Sequence, residues 1–231
     1  MPASIAMIVP PTNTVNEAEW KRMAPDLRFP LLRMPLHAHA DDVFFSDLKA
    51  ALGKLSRQRP DVIAYACTAT SMVLPLEKLP DFIEKEAGVP GVATAPALVL
   101  AARELGMRKI ALATPYHHEL NEHEKTFFQA CNLEVLGIRG LGIGAGGPHE
   151  YVRIAKVSPE QVFAHCLSAW VPGADGMIVS CTDLRTLETL PRLERELGKP
   201  VVSSNLATLW LALRKAGAAR AVRGFGRLLE A

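Results

Sequence analysis

The sequence of 231 residues is poor in aromatics, at 6%, and has almost no charge imbalance: 26 Lys and Arg stand against 24 Asp and Glu, a formal net charge of +2. A nucleic-acid surface needs a basic patch or stripe, with aromatic platforms where single strands stack. No basic run or aromatic-basic ladder is present, and so small a net charge gives no bulk attraction to nucleic acid or an anionic membrane. Neither is expected as a partner. Long hydrophobic runs are missing as well. The beginning, MPASIAMIVPP, has no basic start and no long apolar stretch, unlike a secretory signal, and its apolar run falls short of the ~20 residues that span a bilayer. A cytoplasmic protein is expected. Cysteine is scarce: Cys67, Cys131, Cys166 and Cys181, with no two in a Cys-x-x-Cys pair. That is too few for a disulfide scaffold in a chain of this length, so the four are read as thiols. There are seven histidines but no His-Glu-x-x-His helix pattern, and no metal is expected.

What is present is an ordinary globular composition, 49% hydrophobic and 22% charged, long enough for one large or two small α/β domains. The chain also repeats itself. AMIVPPTNTVNE (6–17) aligns without a gap on ALATPYHHELNE (111–122), placing Pro10 on Pro115, Asn16 on Asn121 and Glu17 on Glu122. DVIAYACTAT (61–70) matches DGMIVSCTDL (175–184), with the same Asp-to-Cys spacing and a Thr after each Cys. Leu79-Pro80 answers Leu190-Pro191, and Gly88-Val89-Pro90 answers Gly198-Lys199-Pro200. This common order over about a hundred residues predicts two halves of one topology.

Each half alternates strand and helix signals. IAMIVP, DVIAYAC, KIALAT and GMIVSC are short, near-continuous apolar runs, as strands buried on both faces should be. LEVLGI and PVVSS add two more. Amphipathic segments such as DDVFFSDLKAALGKLSRQ, SPEQVFAHCLSAWV and LPRLERELG lie between. Ser158-Pro159 reads as a cap and first-turn proline, Asp183 as a cap for a helix after Cys181, and Gly198 as that helix's end. The expected fold is α/β: two Rossmann-like domains with parallel sheets, related by a pseudo-twofold, with a cleft between them. The expected boundaries are 1–105 plus about 208–231 for the first domain and 106–207 for the second.

Cys67 and Cys181 each end an apolar strand and precede a helix signal. Ligands of open α/β sheets gather beyond the carboxyl ends of strands, and a helix N-terminus there offers free N–H groups. Such a setting is expected to lower a thiol's pKa from about 8.5, and the same amides hold a carboxylate. Thr68 and Thr182 add hydroxyls. A lone cysteine at a strand end reads as core; two at equivalent places, facing across a cleft, point to chemistry. Cys131 and Cys166 lack that setting and read as structural. Gly142-x-Gly144-x-x-Gly147 fits a dinucleotide pattern by letter, but Pro148 follows, no helix is expected to open there, and it comes late in its domain. A mobile glycine loop over the cleft is the better expectation for this stretch of 140–153. His118 aligns with Asn13 and is a candidate to face the cleft. Ser71 either helps bind a carboxylate or caps a helix.

Pro10-Pro11-Thr12-Asn13-Thr14, Ala66-Cys67-Thr68-Ala69-Thr70-Ser71, Ala113-Thr114-Pro115-Tyr116 and Ser180-Cys181-Thr182 resemble the aspartate/glutamate racemase superfamily, in its maleate cis-trans isomerase and arylmalonate decarboxylase branch. The resemblance covers nearly the whole chain, including the ending GFGRLLEA. It implies no metal or organic cofactor, a small carboxylate or dicarboxylate substrate, and a dimer as the usual assembly. It also implies that Cys67 is a nucleophile and Cys181 an acid/base and that Tyr116 binds a substrate carboxylate, with Asn13 matching the isomerase-like first loop; Thr12, Thr68, Ser71 and Thr182 are the further candidates for binding substrate. Decarboxylases of this kind carry glycine at the Cys67 position, so two thiols favour an isomerase or racemase over a decarboxylase, with maleate to fumarate as the leading reaction. A racemase of the Asp, Glu or hydantoin type and an arylmalonate-type decarboxylase are the alternatives. A small-ligand sensor whose cysteines merely line a cleft is the non-enzyme alternative. One departure stands out: an asparagine expected within 149–153 is absent from HEYVR.

Overall fold

The apolar runs fold as parallel strands. The computed structural model describes residues 2–37 and 39–230. β1 (Ile5–Val9), β2 (Leu31–Arg33), β3 (Val62–Tyr65) and β4 (Gly91–Ala93) form one parallel sheet in the order β2-β1-β3-β4. β5 (Lys109–Tyr116), β6 (Glu134–Ile143), β7 (Gly176–Val179) and β8 (Val201–Ser203) form a second in the order β6-β5-β7-β8. The second order repeats the first, four strands on, so the sequence duplication is a duplication of topology. The central strands β1, β3 and β7 are buried along their whole length, which is why they read as unbroken apolar runs rather than alternating ones.

Helices fill the crossovers. The first half carries α1 (Asn16–Met23), α2 (Asp42–Ser56), the single turn α3 (Thr68–Ser71), α4 (Lys78–Ala87) and α5 (Thr94–Glu104). The second carries α6 (His118–Ala130), a 3-10 helix (Pro148–Lys156), α7 (Pro159–Ala169), α8 (Leu190–Leu197), α9 (Ser204–Lys215) and α10 (Arg227–Glu230). Asp41 accepts the Phe44 N–H and starts α2 in the register that buries Phe44, Leu48, Leu52 and Leu55 on one face. Burying a side chain such as Phe44 contributes about 2–3 kcal/mol. Ser158 and Gln161 form a capping box with Pro159 in the first turn of α7. Gly88 and Gly198 end α4 and α8 in the left-handed conformation, where a Cβ would be strained.

Two local expectations need correcting. Asp183 caps no helix of its own. Residues 182–189 form turns, because Pro191 sets the start of α8 at Leu190; Asp183 instead accepts the N–H groups of Thr14 and Val15, ahead of α1. A helix does open after the glycines at 142–147: Pro148 begins the 3-10 helix, and Glu150 reaches back to accept the Gly144 and Gly146 N–H groups. The turn of 144–147 is tied by these bonds to the 3-10 helix that follows it.

The halves share one buried core, which runs through β1, β3, β5 and β7. α9 leaves β8 of the second sheet and packs on α5, β3 and β4 of the first. The C-terminal stretch touches both halves, through Arg220 paired with Asp26 and through Glu194, which accepts the Arg227 and Val201 N–H groups.

Candidate active site

The carboxyl ends of the two sheets face one cavity of about 760 Å³. Cys67 and Cys181 both line it, together with Thr12, Asn13, Thr68, Tyr116 and Thr182. β3 ends at Tyr65, and Cys67, in extended backbone, starts α3, so its Sγ sits over the first-turn amides of Ala69 and Thr70 and 3.5 Å from the Thr70 hydroxyl. Cys181 follows β7 differently. Its φ is +98°, a region few non-glycine residues adopt. Its N–H donates to Ser204 Oγ at 3.0 Å, and its Sγ accepts the Asp183 N–H at 3.4 Å.

Hydrogen bonds between the halves set the spacing of the two thiols. Asn13 Nδ2 donates to Thr182 Oγ1 (3.0 Å), and that hydroxyl donates to the Ala66 carbonyl (3.1 Å), beside Cys67. Thr68 Oγ1 donates to Ser204 Oγ (2.9 Å), the atom that also receives the Cys181 N–H. Asp183 Oδ1 accepts from Thr14 N (2.7 Å) and Val15 N (3.2 Å), while Arg33 donates to the carbonyls of Pro10, Pro11 and Asn13 and braces the loop from below. Each cysteine is thus held directly by its own half, Cys67 by Thr70 and Cys181 by Ser204 and Asp183, while the residues beside them, Ala66, Thr68, Thr182 and Asp183, are bonded across the halves.

Ser71 lies off the cavity wall. Its hydroxyl donates to the Thr68 carbonyl and accepts the Ala95 N–H, so of its two readings the structure shows the cap, for α5. His118 is exposed at the start of α6, while His117 and His123 reach the wall. The sequence alignment misplaces the histidine by one residue because α6 starts there. Within HEYVR, Tyr151 faces the cavity where an asparagine was expected, and a Cβ on Gly144 would stand 2.6 Å from the Tyr151 ring. Ser204 and Asp183 are the site residues whose roles the motifs did not reveal. The signal was a hydroxyl residue just after β8, at the place Thr94 holds after β4.

Electrostatics overturn one expectation. Burial pushes both thiols up, Cys181 to about 12, with the Asp183 carboxylate adding to the effect. The Thr70 hydroxyl and the amides of α3 offset only part of this at Cys67, since α3 is a single turn with little dipole, and no helix follows Cys181 until Leu190. Burial also raises Asp183 to about 6 and holds the Tyr116 phenol well above its usual range. At neutral pH both cysteines rest as thiols, which suits a proton donor and requires a nucleophile to ionise on use. No Lys or Arg side chain lines the cavity among the described residues, so the donors a carboxylate would meet there are hydroxyls, amides and the rings of His37, His39, His117 and His123. Among the described residues no group of three or more His, Cys, Asp or Glu is placed to hold a metal ion.

Duplicated parallel sheets whose third strands both end at one hydroxyl-rich cavity define the class: an α/β protein of two like halves with its site at the carboxyl ends of both sheets. Within that class the chain belongs to the arylmalonate decarboxylase family, whose sequence model matches residues 5–229. It is 31% identical to the arylmalonate decarboxylase of Bordetella bronchiseptica, over 98% of this chain and 96% of that one. It is 27% identical to the maleate isomerase of Alcaligenes faecalis over the same shares. A crystal structure of a cysteine-to-alanine variant of the maleate isomerase from Pseudomonas putida, with maleate, superposes with a TM-score of 0.87 at 25% identity, covering 100% of this chain and 98% of that one. The relatives are decarboxylases and isomerases of small carboxylates, and this chain is an enzyme of that kind.

Proposed function

We propose that this chain is a cofactor-independent isomerase that acts on a small carboxylate through the Cys67 and Cys181 pair, with maleate to fumarate as its reaction. The observation that carries the reading is that both thiols face one cavity, each followed by a threonine whose hydroxyl is bonded to the opposite half. A relative of known structure with maleate in this fold supports the choice of substrate. In this reading the ionised Cys67 sulfur adds to one alkene carbon, and the Cys181 thiol gives its proton to the neighbouring carbon. The bond between the two carbons is then single and rotates. Cys181 takes the proton back as Cys67 leaves, so both sulfurs end as they began. Asn13, Thr68, Tyr116, Thr182 and the amides of α3 are the donors for the enediolate that forms on the way.

A second reading rests on the rest of the wall. Leu36, Met72, Val73, Leu120 and Ile154 make much of it apolar, and Asp183 would repel a second carboxylate. That favours an acid with one apolar substituent, which the two thiols would racemise by exchanging the α-proton from opposite faces, or an arylmalonate that Cys181 alone would protonate after loss of CO₂. Proton NMR of the protein with maleate in deuterated buffer, beside Cys67→Ala and Cys181→Ala, separates these. Fumarate with the wild type and with neither variant is the expected result. Maleate left unchanged refutes the isomerase reading, and the same assay with an arylmalonate and an α-aryl acid then tests the second.

A further inference from the structure

Glu124, on α6, has no part in the chemistry above, yet it is fully buried directly behind it. Its Oε1 accepts the hydroxyl of Ser180, the residue before Cys181, and its Oε2 has no partner. The duplication gives it a counterpart. Asn16-Glu17-Ala18-Glu19 on α1 and Asn121-Glu122-His123-Glu124 on α6 occupy the same register of the repeat. Glu19 is also buried, but both of its oxygens are bonded, to the Thr186 and Leu187 amides, the Thr186 hydroxyl and Asn205. Glu19 is therefore explained as a strut. Glu124 is not: a buried carboxyl with one bond and no cation against it is costly, and a neutral side chain would cost less.

Its surroundings connect it to the thiol. Tyr116 on β5 feels the charge of Glu124 and also hydrogen-bonds Cys181. On α7, His165 is engaged with the carbonyls of Thr114 and Arg139. On α6 itself Glu122 and His123 are exposed, and Lys125 is half-buried. Tyr116 is thus the ionisable group that Glu124 addresses directly, and Cys181, which the Asp183 carboxylate and the Cys67 thiol also face, lies one hydrogen bond beyond it. The strained backbone of Cys181 is pinned on one side by Ser204, at its own N–H, and on the other by Glu124, through Ser180.

We propose that Glu124 is a positioning residue for Cys181: through Ser180 it holds the cysteine in its strained conformation, and through Tyr116 its charge sets how readily the thiol gives up its proton. A protonated Glu124 leaves the thiol free to ionise; an ionised one opposes a second negative charge in the same unscreened space. Burial raises Glu124 to about 7, so the switch between these states falls in the physiological range. The consequence for catalysis rests on the reading of Cys181 as acid/base. The test does not, since it follows the thiol alone.

The experiment is the rate of Cys181 modification by methyl methanethiosulfonate between pH 5 and 9.5, with peptide mass spectrometry separating Cys181 from the other three cysteines. The wild type is expected to show a rising log rate interrupted by a shelf near pH 7, where ionising Glu124 offsets the gain in hydroxide. Glu124→Gln is expected to remove the shelf near pH 7, leaving only the inflection near pH 6 that ionising Asp183 imposes on both proteins, and to give at pH 8 a rate about tenfold above wild type, the equivalent of one pKa unit. Ser180→Ala, a milder change that keeps the folded chain available, removes the bond that lowers Glu124 and is expected to move the shelf to higher pH. A wild-type profile with no shelf, or a shelf that survives Glu124→Gln unchanged, overturns the proposal even if the maleate reading holds. A failed maleate assay leaves these profiles unaffected.

Discussion

Replacing Glu19 by alanine should cost more stability than any conservative change at the cavity wall, and the structure sets the size. Glu19 accepts from Thr186 N (2.7 Å), Leu187 N (2.9 Å), the Thr186 hydroxyl (3.1 Å) and Asn205 Nδ2 (2.7 Å), all buried. Alanine leaves three N–H donors without an acceptor, and a buried unsatisfied donor costs about 1–3 kcal/mol. Release of a carboxyl that burial already pushes toward its neutral form gives some of this back. The net expectation is about 3–5 kcal/mol. Glu19→Gln keeps one acceptor oxygen for the two amides but sets an NH₂ group against the Asn205 donor, for about 1–2 kcal/mol. Urea unfolding followed by circular dichroism, with the slope checked for constancy, measures both. Amide exchange at Thr186 and Leu187 should speed up in parallel, because these residues form the turn that follows Cys181. An alanine variant within 1 kcal/mol of wild type, with those amides still protected, would refute the view that α1 holds that turn through Glu19.

Gly140→Ala should destabilise by about 2–3 kcal/mol, since a Cβ there would overlap the Tyr116 carbonyl and the Asn121 side chain. Gly53→Ala, mid-helix in α2 with open space at its Cβ, should instead stabilise by roughly 0.5–1 kcal/mol in the same urea titration. Glu124 binds its proton more tightly folded than unfolded, its pKa rising from 4.5 to about 7, so its stabilising contribution is complete below pH 4.5 and is lost as pH climbs through 7. That is about 3 kcal/mol across the window, and a wild-type urea midpoint that fails to fall relative to Glu124→Gln between those pH values contradicts it. Because burial raises Cys67, kcat/KM for any substrate that needs its thiolate should still be rising at pH 9; a plateau below pH 8 would mean a cation or the substrate itself ionises the thiol.

Much of this molecule was legible because duplication prints itself in order as well as in kind. The apolar runs named the central strands, since a strand buried on both faces has no polar residue to interrupt it. The repeated Asp-to-Cys spacing named the two thiols. What stayed hidden depended on contacts across the halves, which no local pattern encodes. Asp183 looks like a helix cap in Cys-Thr-Asp-Leu, yet its partners, Thr14 and Val15, lie in the other half of the chain. Ser204 is one hydroxyl among many until Thr68 and the Cys181 amide converge on it. The thiol acidity was misjudged for a related reason: a strand end followed by a helix signal says nothing of how long that helix is, and here one is a single turn and the other starts nine residues late.

The two thiols hold equivalent places in the repeat and unequal environments, and in the isomerase reading proposed above that inequality lets one site use them differently. Cys67 sits in relaxed, extended backbone with its sulfur over the first amides of a helical turn, which favour negative charge on it. Cys181 sits in strained backbone, beside the Asp183 carboxylate and ahead of a turn, which disfavours charge and keeps the proton on the sulfur. Burial raises both, but the balance of neighbours leaves Cys67 the easier to ionise and Cys181 the better held acid. A symmetric pair would have to break its own symmetry on every turnover. Here the fold has done so in advance, because only the second half follows its cysteine with an acid, and only the first follows it at once with a helix.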